Sequence, residues 1–153
     1  MPIKTTINVR NASFGRARRV LTKLEKRIED PSKANRDVSI WLLRWVNQNF
    51  RSEGGKVGGW APFKYGGRVQ KDGSINTRAK LLQKTGALRK SFLPFYSRAN
   101  AGVGSFIPYA EFHELGTQHL PVRRMLPEED LSDPDVEEAV IRIYEKHLLG
   151  GFR

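Results

Sequence analysis

One amphipathic segment constrains the fold of this chain most. Over residues 32–50 the apolar residues recur at helical spacing: Val38, Trp41, Leu42, Trp45 and Val46, followed by Asn49 on the same face. This spacing predicts a helix that buries a broad stripe, with Ser32 as its N-terminal cap. Pro31 lacks an amide hydrogen and restricts the residue before it, so we expect it to end a preceding helix.

The first half of the chain predicts a strand and a helical hairpin. Alternating polarity over residues 3–9 predicts a short, half-buried strand. From Phe14 the spacing becomes helical, with Leu21, Leu24 and Ile28 on one face. We expect this first helix to form an antiparallel hairpin with the second one through residues 30–32.

The second half predicts a small sheet and two further helices. Residues 92–107 predict an antiparallel hairpin that turns near Asn100. Pro108 favours the start of a short helix that Gly116 ends, and residues 134–149 predict a last helix capped by Asp133. Together these elements predict an α+β fold in one domain, residues 1–153.

The connection between the halves is rich in glycine. Residues 51–77 predict a long flexible loop, with Trp60 and Phe63 as its anchors to the core. These aromatic residues, with Tyr65, are equally compatible with a role as anchors for a partner. A short helix over residues 78–84 is expected next, ended by Gly86 in a left-handed conformation.

Composition excludes several classes of protein. No apolar run approaches the roughly 20 residues that span a bilayer, and the N-terminus lacks the apolar stretch of a signal peptide. The absence of cysteine rules out disulfides and thiolate chemistry, so synthesis in a cytoplasm is the simple expectation. The glycine-rich stretch departs from a phosphate loop because Val57 follows Gly55-Lys56. The three histidines lack metal-ligand spacing. We expect no cofactor, no metal and no enzymatic activity.

Charge is distributed unevenly. The net charge of +11 divides into +16 for residues 1–124, with 24 basic and 8 acidic residues, and −5 for residues 125–153, with 3 and 8. Five cations form a stripe on the first predicted helix: Arg16, Arg19, Lys23, Lys26 and Arg27. Such a stripe fits a row of phosphates, a solvated helix face, or an acidic partner that includes the final segment of this chain.

Six spaced motifs carry a resemblance to a known family. In order along the chain they are Phe50; Trp60-Ala61-Pro62; Leu82 with Thr85-Gly86-Ala87-Leu88; Tyr109-Ala110-Glu111-Phe112-His113-Glu114-Leu115-Gly116; Pro121-Val122-Arg123-Arg124-Met125-Leu126; and the last helix. Over about residues 14–149 this layout resembles the tail-completion, or virion morphogenesis, proteins of tailed bacteriophages. The stretch from Lys56 to Lys80 departs from the pattern, so partner contacts made there do not transfer.

The resemblance implies a structural virion protein at the head-proximal end of the tail, assembled in the host cytoplasm. It implies a ring, expected to be a hexamer, that contacts neighbouring neck, terminator or tail-tube proteins and surrounds the DNA path. The alternative is a basic nucleic-acid-binding protein. The residues expected at interfaces are Arg16, Arg19, Lys23, Lys26, Arg27, Trp60, Phe63, Arg123, Arg124, Glu128, Glu129, Asp130, Glu137 and Glu138.

Overall fold

The computed structural model describes residues 13–128 and 133–150, with side chains from residue 18 onward in the first range. The elements in chain order are α1 (Ser13–Glu29), α2 (Ser32–Arg51), a 3₁₀ turn (Gly55–Val57), β1 (Arg68–Val69), β2 (Ile75–Asn76), α3 (Ala87–Lys90), β3 (Phe92–Tyr96), β4 (Ala101–Ser105), α4 (Pro108–Leu115) and α5 (Pro134–Leu149). Two antiparallel two-stranded sheets accompany the helices, which confirms the α+β class. The strand predicted over residues 3–9 lies outside the described residues.

Helix α2 is the centre of the core, as its stripe predicted. The hairpin of β3 and β4 packs against it, and so does α5. Trp45, Val46 and Phe50 are almost completely buried on its inner face. Each of these large side chains contributes roughly 2 kcal/mol through removal of apolar surface from water.

The start of α2 differs from the prediction in one detail. Ser32 is the first helical residue, and Pro31 occupies the capping position without a side-chain hydrogen bond. The carboxylate of Asp30, one residue before the capping position, satisfies the first amide of the helix, because its Oδ1 accepts from Ser32 N at 3.1 Å and from Ser32 Oγ at 2.5 Å. These two hydrogen bonds also lower the pKa of Asp30. The prediction of Ser32 as the cap was therefore wrong by one position.

Helix α1 forms where it was predicted, but it does not form the predicted antiparallel hairpin with α2. The main helix contact of α1 is with α5. Near its end Arg27 Nη1 donates to Leu148 O at 2.9 Å, and the His147 ring lies 3.3 Å from Arg27 O. The buried part of the α2 stripe packs against the β-hairpin and α5 and not against α1. Consequently Leu21 and Ile28 on the apolar face of α1 are exposed.

The glycine-rich region contains more regular structure than predicted. It holds the 3₁₀ turn and the hairpin of β1 and β2, in which Arg68 pairs with Asn76 and Val69 with Ile75. Both predicted anchors contact the core, since Trp60 is buried and Phe63 packs against the core cluster. The flexibility of residues 51–77 stays a prediction.

The segment before α3 corrects a second expectation. Residues 78–84 form turns instead of a helix, and Leu82 has a positive φ of 55° that interrupts helical geometry. Gly86 is left-handed as predicted, with φ of 73°, but it precedes α3 and does not end a helix. This path allows both Leu81 and Leu88 to reach the core.

The remaining elements follow the sequence prediction. β3 and β4 pair antiparallel with Phe95 opposite Gly102. Helix α4 begins at Pro108 and ends before Gly116, whose φ is 76°. The Asp133 side chain caps α5 by accepting from Asp135 N at 2.9 Å. Within the described ranges, no helix has both the length and the hydropathy needed to cross a membrane.

Candidate interaction surfaces

The motif segments meet one another at the C-terminal end of α2. The carbonyl oxygen of Arg124 accepts from Trp60 Nε1 at 2.7 Å and from Asn49 Nδ2 at 3.1 Å. Trp60 also lies edge-on against Phe50, with ring centroids 5.1 Å apart. We name this cluster, formed by Asn49, Phe50, Trp60, Arg123 and Arg124, the α2-end junction. It joins three segments that are far apart in sequence.

Arg123 connects the Trp60-Ala61-Pro62 motif to the motif that contains His113. Its side chain donates from Nε to Ala61 O at 2.9 Å and from Nη2 to Pro62 O at 3.4 Å. Its backbone amide donates to His113 O at 2.8 Å. Burial lowers the pKa of Arg123, although a guanidinium remains charged under all ordinary conditions. Arg123 therefore makes contacts inside its own chain.

Two titratable side chains of α4 lie beside the junction. The carboxylate of Glu114 accepts from Met125 N at 2.6 Å and from Leu126 N at 3.4 Å. Burial raises the pKa of Glu114, and these hydrogen bonds oppose the rise. Burial lowers the pKa of His113, and the nearby positive charge of Arg123 lowers it further. His113 is consequently neutral near pH 7, which suits its half-buried position.

The predicted basic stripe divides into two parts. Arg19, Lys23 and Lys26 are exposed, whereas Arg27 is half-buried and bonded to Leu148 O. The side chain of Arg16 lies outside the described part. The stripe is thus no single flat surface, because its last residues face the junction of α1 with α5.

Two of the three described acidic residues that were predicted at interfaces form ion pairs within the chain. Glu128 forms an ion pair with Arg124 at 2.5 Å, and Glu138 forms one with Arg142. Asp135 forms an ion pair with Lys56 at 3.0 Å. Its neighbour Glu137 is exposed. Glu129 and Asp130 lie outside the described residues. Exposed pairs of this kind contribute at most about 1 kcal/mol each, so a partner can exchange them at little cost.

Exposed apolar side chains lie on several elements, among them Leu93, Phe95 and Tyr96 of β3, and two groups of them form candidate contact surfaces on α1 and around α4. One is the α1 stripe with Leu21 and Ile28, of which 60% and 66% of the surface is accessible. The other, which sequence reasoning missed, surrounds α4. Its exposed members are Phe106, Tyr109, Phe112, Leu115 and Val122. Phe106 is 91% accessible, which is unusual for a phenylalanine in an isolated subunit. The spacing of residues 106, 109 and 112 was the available signal.

A basic groove of about 700 Å³ lies among α1, α2 and α5. We define the basic groove by Lys26, Lys33, Arg36, Arg44 and Lys146, which are all exposed. Sequence reasoning identified only Lys26 of these. The cations of α2 at positions 33, 36 and 44 share one helix face, and that spacing was the signal that would have found them.

A family comparison accounts for the motif order. The sequence matches the model of the phage virion morphogenesis family over residues 12–148. The chain belongs to this family. No curated protein and no solved structure shows significant similarity to it.

This virion morphogenesis protein has a structural or morphogenetic role in a phage. Its motifs act mainly in folding, because Trp60, Arg123 and Glu114 all make contacts inside the chain. Trp60 in particular is buried, so its place in the structure is that of a loop anchor. Among the described residues no group of three acidic or histidine side chains is placed to hold a metal ion. In the described part of the chain, the candidate surfaces for partners are therefore the α1 and α4 apolar surfaces and the basic groove.

Proposed function

We propose that this protein works at the head-proximal end of the phage tail, where its copies form a ring that completes the tail. The ring is most simply a hexamer, in keeping with the sixfold symmetry expected of a tail. It provides the surface onto which a DNA-filled head joins, together with neighbouring neck, terminator or tail-tube proteins. Membership of the virion morphogenesis family supports this role.

The observation that carries the proposal is the exposure of two separate apolar surfaces. A ring is built from heterologous contacts, in which each subunit presents two different complementary patches. The α1 stripe and the α4 surface are on different elements and share no residue. Contact between them supplies the affinity, since apolar burial is the main favourable term in association.

Charge has a secondary role in this assembly. The exposed cations of one copy and the carboxylates near α5 of the next steer the encounter and set the register. The intrachain pairs of Glu128 and Glu138 are surface pairs, so they can be exchanged for pairs with a neighbour.

Assembly and particle formation test the proposal together. Native mass spectrometry and negative-stain electron microscopy of the purified protein at high concentration are expected to show closed rings. A phage that lacks the protein is expected to accumulate separate heads and tails. A strictly monomeric protein, combined with normal joining in its absence, would overturn the proposal. Duplex binding by a small oligomer without any joining defect would favour the nucleic-acid-binding alternative.

A further inference from the structure

The basic groove has a net positive charge among the residues that the structure describes. Six cations line it against two carboxylates, Asp30 and Asp37, which leaves a net charge of +4. Asp30 accepts two hydrogen bonds from Ser32, and Asp37 pairs with Arg36 at 3.3 Å. In the described part of the chain, the side chains of Lys33, Arg44 and Lys146 take part in no ion pair.

We propose that the basic groove binds the phosphate backbone of duplex DNA. This inference goes beyond the ring assembly proposed above and does not depend on it. The proposed binding surface lies mainly on α2 and α5, apart from most of the α1 stripe.

The dimensions of the groove fit a row of phosphates. Lys33 and Arg44 are eleven residues apart on one face of α2, which corresponds to about 16 Å along the helix axis. One strand of duplex DNA places about four or five phosphates over that length. Lys26 from α1 and Lys146 from α5 flank this row. The cations therefore extend along the groove and are not collected at one point, as they would be for a single small anion.

An acidic protein segment is a poorer occupant. The acidic region of a second copy is the obvious candidate, but its carboxylates Glu128, Asp135 and Glu138 would first have to give up the weak surface ion pairs that they form in their own chain. Asp133 is engaged as the cap of α5. DNA carries one negative phosphate at every nucleotide, and these phosphates form no ion pairs within their own chain. They therefore gain more free energy from binding in the groove.

The experiment compares two variants with equal charge. Fluorescence anisotropy of a labelled duplex measures the dissociation constant over a series of salt concentrations. The groove variant is Lys33→Gln/Arg44→Gln/Lys146→Gln. The control variant is Lys71→Gln/Arg78→Gln/Lys80→Gln, whose residues are exposed and lie outside the groove. Both variants lower the net charge by three.

The groove variant is expected to bind at least tenfold more weakly at low salt. The slope of log affinity against log salt is expected to fall by about 2–3, since each phosphate contact contributes roughly 0.9. The control is expected to keep the wild-type slope. Equal losses in the two variants would overturn the proposal, because binding would then follow net charge alone. Wild-type DNA binding by a groove variant that no longer forms rings would also overturn it and would assign the groove to a protein contact.

Measurements of circular dichroism and of ring formation distinguish a failure of the DNA-binding proposal from a failure of the ring proposal. All three groove residues are exposed, so the groove variant is expected to unfold at the wild-type temperature. If the groove variant forms normal rings but fails to bind DNA, the phosphate proposal stands whatever the position of the ring in the particle.

Discussion

Trp60 donates its indole N–H to the carbonyl oxygen of Arg124 at 2.7 Å, across 64 residues of sequence. The same oxygen accepts from Asn49, so both of its lone pairs are occupied. The glycine-rich connection is thereby attached to α2 and to the segment that follows α4. The α2-end junction is the means by which widely spaced motifs stabilise a single structure.

Replacement of Trp60 by Phe tests this junction. The change removes the indole donor and part of a buried ring, and Asn49 still satisfies the Arg124 oxygen. We expect a loss of about 2 kcal/mol in the free energy of unfolding, measured by urea denaturation. Tyr65→Phe in the same loop is the control, because Tyr65 is mostly exposed, and it is expected to change stability by less than about 0.5 kcal/mol. Equal effects of the two variants would contradict the assigned role of Trp60.

Gly54 and Gly58 form a matched pair for a test of packing. Both have positive φ, 90° and 85°, so alanine at either position costs about 1 kcal/mol in backbone strain. A Cβ at Gly54 would lie 2.4 Å from the Trp60 ring and 2.6 Å from the Trp60 backbone nitrogen, whereas one at Gly58 meets nothing within 4 Å. Gly54→Ala is therefore expected to cost about 1–3 kcal/mol more than Gly58→Ala. Thermal unfolding of the two variants side by side measures the difference, and equal losses would refute it.

His113 gives stability a dependence on pH. Its folded pKa lies below the ordinary 6.5, so the unfolded chain binds a proton more readily than the folded chain. The contribution of His113 to the free energy of unfolding is complete above pH 6.5 and is lost as pH falls through that value toward the folded pKa. The difference in unfolding temperature between wild type and His113→Gln is expected to change in this window and to be constant above it.

Glu114 changes the pH dependence of stability in the opposite direction. Wild type and His113→Gln must therefore be compared with each other at every pH. Its raised pKa means that stability falls as pH rises from 4.5 through the folded value. Both wild type and His113→Gln retain this carboxyl group, so its effect cancels in their difference. A difference that stayed flat from pH 7.5 to pH 5 would show that His113 has an unshifted pKa.

The sequence predicted the elements whose signals are local. The stripe of α2, the proline starts of α4 and α5, and the turn between β3 and β4 each depend on neighbouring residues. Periodicity, proline positions and turn residues therefore placed them correctly. The Asp133 cap was predicted for the same reason.

The errors came from contacts between distant residues. Two amphipathic helices in succession suggested a hairpin, but the stripe of α2 was taken by β3, β4 and α5. Periodicity shows that α1 has an apolar face and does not show what covers it. Likewise, the basic groove combines three helices, and only the folded chain brings Lys146 beside Lys33.

The exposed face of α1 supplies the sharpest test of ring assembly. Leu21→Ser/Ile28→Ser removes apolar surface that the subunit itself leaves in water, so the free energy of unfolding of a single subunit is expected to change by less than about 1 kcal/mol. Ring formation is expected to weaken at least tenfold, as measured by native mass spectrometry over a dilution series. The control is Val69→Ser/Ile75→Ser, which alters similarly exposed apolar residues on the β1–β2 hairpin and is expected to leave rings intact. If the α1 variant forms rings as readily as the control does, the α1 stripe is no subunit contact, and the ring must be built from other surfaces.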